Sequence, residues 1–110
     1  MLTLGVESFS GTTLLDWRSI LAAFHACWCP FCTNFLKVFE ATMREKNNPL
    51  AALVDISDMD NPLWETFDVA IVPTLIGFRN GQAFVRKDGT AGVGLSSKEL
   101  EDALREMENY

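Results

Sequence analysis

Short, nearly continuous apolar runs alternate with stretches of helical periodicity along this chain. Apolar runs at residues 2–6, 20–25 and 50–56 predict strands, and the run at 20–25 is typical of a strand buried on both faces of a sheet. Two further strand-like runs, at residues 74–79 and 82–87, are separated by an Asn-Gly pair, which is a strong hairpin signal. The pattern therefore predicts five strands, the last two joined as a hairpin.

Four other segments have helical features. Residues 14–17 could begin a short helix, and apolar residues at helical spacing predict a long helix over about residues 30–46. A short helix is expected to start at residues 61–62, and a last one after Ser96, which forms a capping-box pattern with Glu99. The element order β-α-β-α-β-α-β-β-α predicts an α/β fold, with a central mixed β-sheet flanked by helices on both faces.

Length and charge limit the class of protein. The chain has 110 residues, the size of one domain, so residues 1–110 are expected to form a single domain. A formal net charge of -6 argues against nucleic acid or an anionic membrane as a partner. The first residues lack the layout of a secretory signal, and no apolar run approaches the roughly 20 residues of a membrane helix. A cytoplasmic location, where thiols stay reduced, is therefore expected.

Three cysteines lie close together, and two of them form the motif Cys29-Pro30-Phe31-Cys32 directly after a buried strand. Because Pro30 fits the first position of a helix, the motif is predicted to open the long helix. Cysteines three residues apart in a helical first turn are close enough for a disulfide. Unpaired N–H groups and the helix dipole favour a thiolate at the outer position. Cys29 is therefore the predicted nucleophile, and Cys32 the resolving thiol.

A metal site is the alternative use of the same thiols. His25, Cys27, Cys29 and Cys32 offer four ligands over a short stretch, which is compatible with zinc or an iron–sulfur cluster. Residues two apart on a strand share a face, whereas Cys32 belongs to a helix, so the four side chains are not expected to converge. Cys27 is then expected to be a small passive residue, or a thiol that is oxidised or paired under stress, and no metal or other cofactor is predicted.

Val72 and Pro73 have two interpretations. A proline at the start of a strand has no N–H for the ladder, so Pro73 could simply begin an exposed edge strand. Alternatively, a cis peptide bond at Pro73 would place the Val72 backbone beside the dithiol. Only a small fraction of X-Pro bonds are cis, so the local sequence does not select the second interpretation.

Three motifs follow one another along the chain: Trp28-Cys29-Pro30-Phe31-Cys32, then Val72-Pro73-Thr74 followed by Phe78-Arg79-Asn80-Gly81-Gln82, and then Val93-Gly94 before the last helix. Together these motifs resemble the thioredoxin family. The resemblance implies a thioredoxin fold, Pro73 in cis opposite the dithiol, and docking of an extended substrate segment along the Val72 backbone. It also implies apolar substrate contacts at Trp28, Phe31 and the pair Val93-Gly94.

Two departures from the family pattern concern how the dithiol works. The pair between the cysteines is Pro30-Phe31 where thioredoxins commonly have Gly-Pro, which is closer to the Pro-Tyr of glutaredoxins. This pair influences the reduction potential. The family's buried acid, six residues before the first cysteine, corresponds to Ala23. We therefore expect another group, with Asp55 as the candidate, to accept the proton of Cys32.

The sequence thus predicts a protein-disulfide oxidoreductase with a Cys-Pro-Phe-Cys active site and a mixed-disulfide intermediate at Cys29. Its expected partners are disulfide-bearing proteins and an electron donor, either a disulfide reductase or a small thiol. It is expected to act as a monomer. Two alternatives remain open: a glutaredoxin-like or oxidising disulfide exchanger, and a metal-binding or redox-sensing module.

Overall fold

The structure is a computed structural model that describes residues 1–109. The strands are β1 (Leu2–Leu4), β2 (Phe9–Ser10), β3 (Thr13–Leu14), β4 (Ile20–His25), β5 (Leu50–Asp55), β6 (Thr74–Arg79) and β7 (Gln82–Lys87), and the helices are α1 (Pro30–Arg44), α2 (Leu63–Thr66) and α3 (Ser97–Glu108).

A mixed sheet organises the chain, with its strands in the order β1-β5-β4-β6-β7. β1, β5 and β4 run parallel to one another, whereas β6 is antiparallel to β4 and β7 is antiparallel to β6. β4 lies in the middle, and its side chains alternate between two cores. Ile20, Ala22 and Phe24 enter one core, and Leu21 and Ala23 enter the other. This double burial explains the unbroken apolar run and confirms the predicted strand.

Helices cover both faces of this sheet, as the element order predicts. α1 and α3 pack on one face, where Phe35 and Leu100 belong to the same core. α2 and the β2–β3 pair cover the other face through Leu63 and Leu14. α1 ends at Arg44, two residues before its predicted end. Within residues 1–109, no helix combines the length and the apolar character needed to cross a bilayer.

Local signals determine where two of the elements begin or turn. Asn80 and Gly81 both adopt positive φ angles, 53° and 80°, as a tight hairpin between β6 and β7 requires. The Ser96 hydroxyl accepts a hydrogen bond from the Lys98 N–H, and the Glu99 carboxylate accepts one from the Ser96 N–H. The predicted hairpin and the predicted capping box of α3 are both confirmed.

The helix predicted at residues 14–17 is wrong. Leu14 instead belongs to β3, while Leu15 and Trp17 are 62% and 75% exposed. A short helix is stable only when it buries an apolar face, and these side chains bury none. The Asp16 carboxylate accepts a hydrogen bond from the Arg18 N–H, which forms a turn before β4.

Candidate active site

The two cysteines of the motif lie at the start of α1, just beyond the end of β4. Cys29 is the N-cap residue and Pro30 is the first helical residue, so the motif opens the helix as predicted. The Cys29 Sγ accepts a hydrogen bond from the Cys32 N–H at 3.2 Å, so it satisfies one of the unpaired N–H groups of the first turn. Cys29 is 6% exposed and Cys32 is 1% exposed, and both are free thiols.

Burial determines the protonation of the inner thiol. Burial is the main cause that raises the pKa of the Cys32 thiol to about 12, and a hydrogen bond with Cys29 is the second. A hydrogen bond with the Ala26 backbone lowers this pKa. Cys32 is therefore a protonated thiol at neutral pH. Because only a thiolate is nucleophilic, Cys32 must lose this proton before it can attack a disulfide.

The Val72 backbone faces the dithiol from the opposite side. The peptide bond between Val72 and Pro73 is cis, and the Val72 carbonyl oxygen accepts a hydrogen bond from the Cys29 Sγ at 3.5 Å. The Thr74 hydroxyl donates a hydrogen bond to the Ile71 carbonyl at 2.7 Å, which closes the turn formed by residues 71–74. β6, which follows Pro73, lies between β4 and β7. The edge-strand interpretation of Pro73 is therefore wrong.

An exposed indole lies beside the motif. Trp28 is 52% exposed, and its Nε1–H donates a hydrogen bond to the Ser57 carbonyl at 2.8 Å. Its ring stacks on Trp64, with 6.2 Å between the ring centroids and 7° between the planes. Trp28 is thus held by two contacts while about half of its surface stays exposed.

Phe31 and Gly94 are in close contact across the loop before α3. Gly94 has a φ of 79°, and an added Cβ at this residue would lie 2.8 Å from the Phe31 Cβ. Glycine is therefore required at this position both by the backbone conformation and by the space available. Phe31 remains 39% exposed, and the neighbouring Val93 is 66% exposed.

A groove of about 330 Å³ runs alongside Cys29. The residues that line it include Trp28, Phe31, Trp64, Ile71, Val72 and Gly92. A larger groove of about 620 Å³ lies between α1 and the start of β5, and none of the three cysteines lines it. The smaller groove is the one relevant to thiol chemistry, because Cys29 lines it.

The fold and the dithiol can be compared with known proteins. The family model named thioredoxin matches residues 1–106, which is nearly the whole chain. The chain belongs to the thioredoxin family. Thioredoxins are thiol–disulfide oxidoreductases, and in this thioredoxin-family chain Cys29 and Cys32 lie close together. The chain is therefore a protein-disulfide oxidoreductase.

Individual relatives agree with this assignment. The thioredoxin of Mycolicibacterium smegmatis is 34% identical over 100 residues, which cover 89% of this chain and 89% of the relative. The thioredoxin of Mycobacterium tuberculosis H37Rv is 32% identical over 98 residues, with 88% and 84% covered. The crystal structure of Chlamydomonas reinhardtii thioredoxin f2 matches with a TM-score of 0.79 at 15% identity and covers 96% of this chain and 94% of that one. This last similarity confirms the thioredoxin fold.

The position of the thioredoxin family's buried acid is occupied by Ala23, which is fully buried in the core. Asp55, the expected substitute, is exposed, and its carboxylate accepts hydrogen bonds from the Ser57 N–H and hydroxyl. These bonds lower the pKa of Asp55. The neighbours that alter the pKa of Cys32 are instead Cys29 and the Ala26 backbone. The role of Asp55 as proton acceptor stays a prediction.

The potential metal ligands are not gathered into one site. Cys27 is exposed whereas Cys29 and Cys32 are buried. His25 is half-buried, and burial lowers its pKa, an effect that Asp55 and Glu40 only partly offset. Among residues 1–109, no three histidine, cysteine, aspartate or glutamate side chains are placed to hold a metal ion. The metal-binding alternative therefore gains no support from the geometry.

Two residues of the site have no distinct signal in the sequence. Trp64 has the appearance of a core aromatic residue, yet it lines the groove beside Cys29. Ser57 accepts hydrogen bonds from the Cys27 N–H through its hydroxyl and from the Trp28 indole through its carbonyl. Both residues are far from the motif in sequence and reach it only because β5 lies next to β4.

Proposed function

We propose that Cys29 and Cys32 are the reacting groups and that they reduce protein disulfides in two exchange steps. The Cys29 thiolate attacks one sulfur of the substrate disulfide, a mixed disulfide forms, and the other substrate sulfur leaves as a thiolate. Cys32, once deprotonated, then attacks the Cys29 sulfur, so the first substrate sulfur leaves and a Cys29–Cys32 disulfide remains. The hydrogen bond from the Cys32 N–H to the Cys29 Sγ carries this proposal, because it keeps the outer sulfur within reach of the inner residue.

The proton of Cys32 requires an acceptor in the second step. We retain Asp55 as the candidate, because it lies at the end of β5, paired with His25 at the end of β4 that leads into the motif, and its exposed carboxylate can exchange a proton with solvent. Asp55→Asn would slow the resolving step and change its pH profile, whereas Glu101→Gln, at an exposed acid on α3, serves as the control. Equal rates for the two variants at every pH would exclude Asp55.

The substrate is proposed to bind in an extended conformation along the Val72–Pro73 backbone. The Val72 carbonyl lies next to the Cys29 sulfur, where a bound segment would present its disulfide. Trp28, Phe31 and Val93-Gly94 supply apolar contact around it, which is consistent with the exposed side chains of Trp28, Phe31 and Val93.

The proposed partners are disulfide-bearing proteins and a disulfide reductase or small thiol that regenerates the dithiol. A relative from Mycobacterium leprae, 31% identical over 98 residues, is named a bifunctional thioredoxin reductase/thioredoxin, which supports a reductase as the donor. We further propose that residues 1–110 form a single domain that acts as a monomer in the cytoplasm.

Reduction of insulin in the presence of dithiothreitol tests the proposal. Cys29→Ser is expected to abolish the reaction, and Cys32→Ser is expected to accumulate the mixed disulfide. Cys27→Ser, which removes an exposed thiol two residues away, is the matched control and is expected to retain activity. Full activity of Cys29→Ser would refute the assignment.

The reduction potential distinguishes a reductant from an oxidant. A value near about -270 mV for the Cys29–Cys32 couple is expected for a reductant, and a value near about -180 mV or higher would indicate an oxidising exchanger. Acceleration by glutathione would favour the glutaredoxin-like alternative, for which the pair Pro30-Phe31 is the only support in this chain.

A further inference from the structure

We propose that Trp64 is a positioning and specificity-determining residue for disulfide exchange at Cys29. Its indole holds Trp28 and completes the groove beside the reactive sulfur. The site would thereby favour disulfides in which a large apolar side chain and a basic residue adjoin the attacked cysteine. This inference rests on the proposed function, in which Cys29 is the attacking thiol.

Both indoles are anchored to one short loop. The Trp64 Nε1–H donates hydrogen bonds to the Ile56 carbonyl at 2.9 Å and to the Asp58 carbonyl at 3.2 Å. The Trp28 Nε1–H donates to the Ser57 carbonyl, which lies between them in sequence. Three consecutive carbonyls therefore fix both rings, and the stacking contact couples the orientation of one ring to the other.

Trp64 has a different environment from the rest of α2. Leu63 and Phe67 are buried, at 2% and 5% exposure, in the core between α2 and the sheet. Trp64 is only partly buried and lies at the edge of that core, where it lines the groove. Its ring is thus presented to a bound segment as well as to the protein.

Cys29 lines the groove, which is why its occupant is expected to belong to the substrate. Its volume of about 330 Å³ is at the low end for a binding pocket, so it suits one or two side chains rather than a separate ligand. Ile71 and Val72 also line the groove, so most of its lining is apolar. A leucine or aromatic side chain next to the attacked cysteine would fill it.

Charge indicates the second feature of the substrate. The loop and helix that carry Trp64, residues 56–67, contain the exposed acids Asp58, Asp60 and Glu65 and no lysine or arginine. A basic residue near the apolar side chain would be attracted to this edge, most strongly at low ionic strength.

Peptide dimers joined by a single disulfide provide the test, because both of their sulfurs are equivalent. Three sequences are compared. Cys-Phe-Lys and Cys-Gly-Lys differ in the residue after cysteine, whereas Cys-Phe-Lys and Cys-Phe-Glu differ in the residue after phenylalanine. The wild-type protein is expected to reduce the Phe-Lys peptide about tenfold more efficiently than its glycine counterpart, as is typical of one well-buried aromatic contact. It should also prefer lysine to glutamate, and salt should weaken that preference.

Trp64→Ala is expected to lose most of the phenylalanine preference by raising KM for that peptide about tenfold, with little change in kcat. Trp64→Phe should retain much of the preference, because it keeps an aromatic face against Trp28. Trp17→Ala is the control, since Trp17 is 75% exposed and precedes the opposite end of β4. If Trp64→Ala is poorly folded, Trp64→Leu replaces it.

Near-ultraviolet circular dichroism provides an independent readout of the stacked pair. Trp64→Phe and Trp28→Phe should lose the same component of the indole signal, and Trp17→Phe should not. Equal loss of efficiency with the phenylalanine and glycine peptides in Trp64→Ala, or an unchanged preference, would overturn the role of Trp64. If Cys29→Ser still reduces these peptides, the proposed function itself fails.

Discussion

Replacing Gly94 by alanine would place a methyl group against the first turn of α1. The added Cβ would lie 2.8 Å from the Phe31 Cβ and 3.3 Å from its Cγ, and the backbone φ of 79° would be retained by a residue that disfavours it. Gly92 is a matched control, because its φ is 76° and an added Cβ would meet nothing within 4 Å. The two variants therefore share the backbone strain and differ in the steric contact.

Comparison of the two variants separates the free-energy cost of the backbone strain from that of the steric contact. An L-residue in the left-handed region costs roughly 1–2 kcal/mol, and loss of unfolded-state entropy returns about 0.4–1 kcal/mol, so Gly92→Ala should lower the free energy of unfolding by about 1 kcal/mol. Overpacking adds about 1–3 kcal/mol, so Gly94→Ala should lower it by about 2–4 kcal/mol.

Urea unfolding of the reduced protein measures the free energy of unfolding of each variant. The rate of insulin reduction measures the activity of the dithiol. Because Phe31 directly precedes Cys32, its displacement should slow disulfide reduction in Gly94→Ala. Phe31→Gly removes the opposing Cβ, so in that background Gly94→Ala should cost only about as much stability as Gly92→Ala costs in the wild type. Equal destabilisation by Gly92→Ala and Gly94→Ala would refute the inferred steric contact.

Three further outcomes are expected from the structure. Ser96→Ala should destabilise the protein by about 1 kcal/mol in urea unfolding, through loss of the N-cap bond, whereas Ser97→Ala, one position later, should have little effect. Because the folded state raises the pKa of Cys32 to about 12, stability of the reduced protein should decline above about pH 9, by at most about 1.4 kcal/mol per pH unit, and less steeply in Cys32→Ala; parallel curves for the two proteins would contradict this. Burial lowers the pKa of His25 in the folded protein, so as the pH falls the unfolded chain is protonated at His25 before the folded protein is. Stability should therefore fall as the pH drops below about 6.5, and less so in His25→Gln; an identical acid limb in that variant would exclude His25 as the cause.

Much of the fold was predictable because the strongest signals are local. β4, β6 and β7 have the predicted bounds, since β4 is buried on both faces and an Asn-Gly turn joins β6 to β7. The helix start at Pro30 followed from proline chemistry at the first helical position. Residues 14–17 were mispredicted because their leucines and tryptophan resemble a helix face, and only the sheet decides which of them is buried.

The dithiol was predictable from its spacing, but its surroundings were not. The contact of Trp28 with Trp64 depends on the path of the chain after β5, and no periodicity in the sequence reports that path. The contact of Phe31 with Gly94 likewise joins two segments that are distant in sequence. Side chains that meet across loops depend on tertiary geometry, whereas residues within one helical turn depend mainly on local geometry.

Ser57 connects the end of one strand to the segment that carries the outer sulfur. Its hydroxyl accepts from the Cys27 N–H at 2.7 Å, 30 positions away, and is itself oriented by the Asp55 carboxylate. Residues 26–29 belong to no helix or strand, so the hydrogen bonds to Ser57 fix the position of an otherwise irregular segment. Substitution of Ser57 would consequently alter the reactivity of the Cys29 thiol, although Ser57 takes no part in the redox reaction itself.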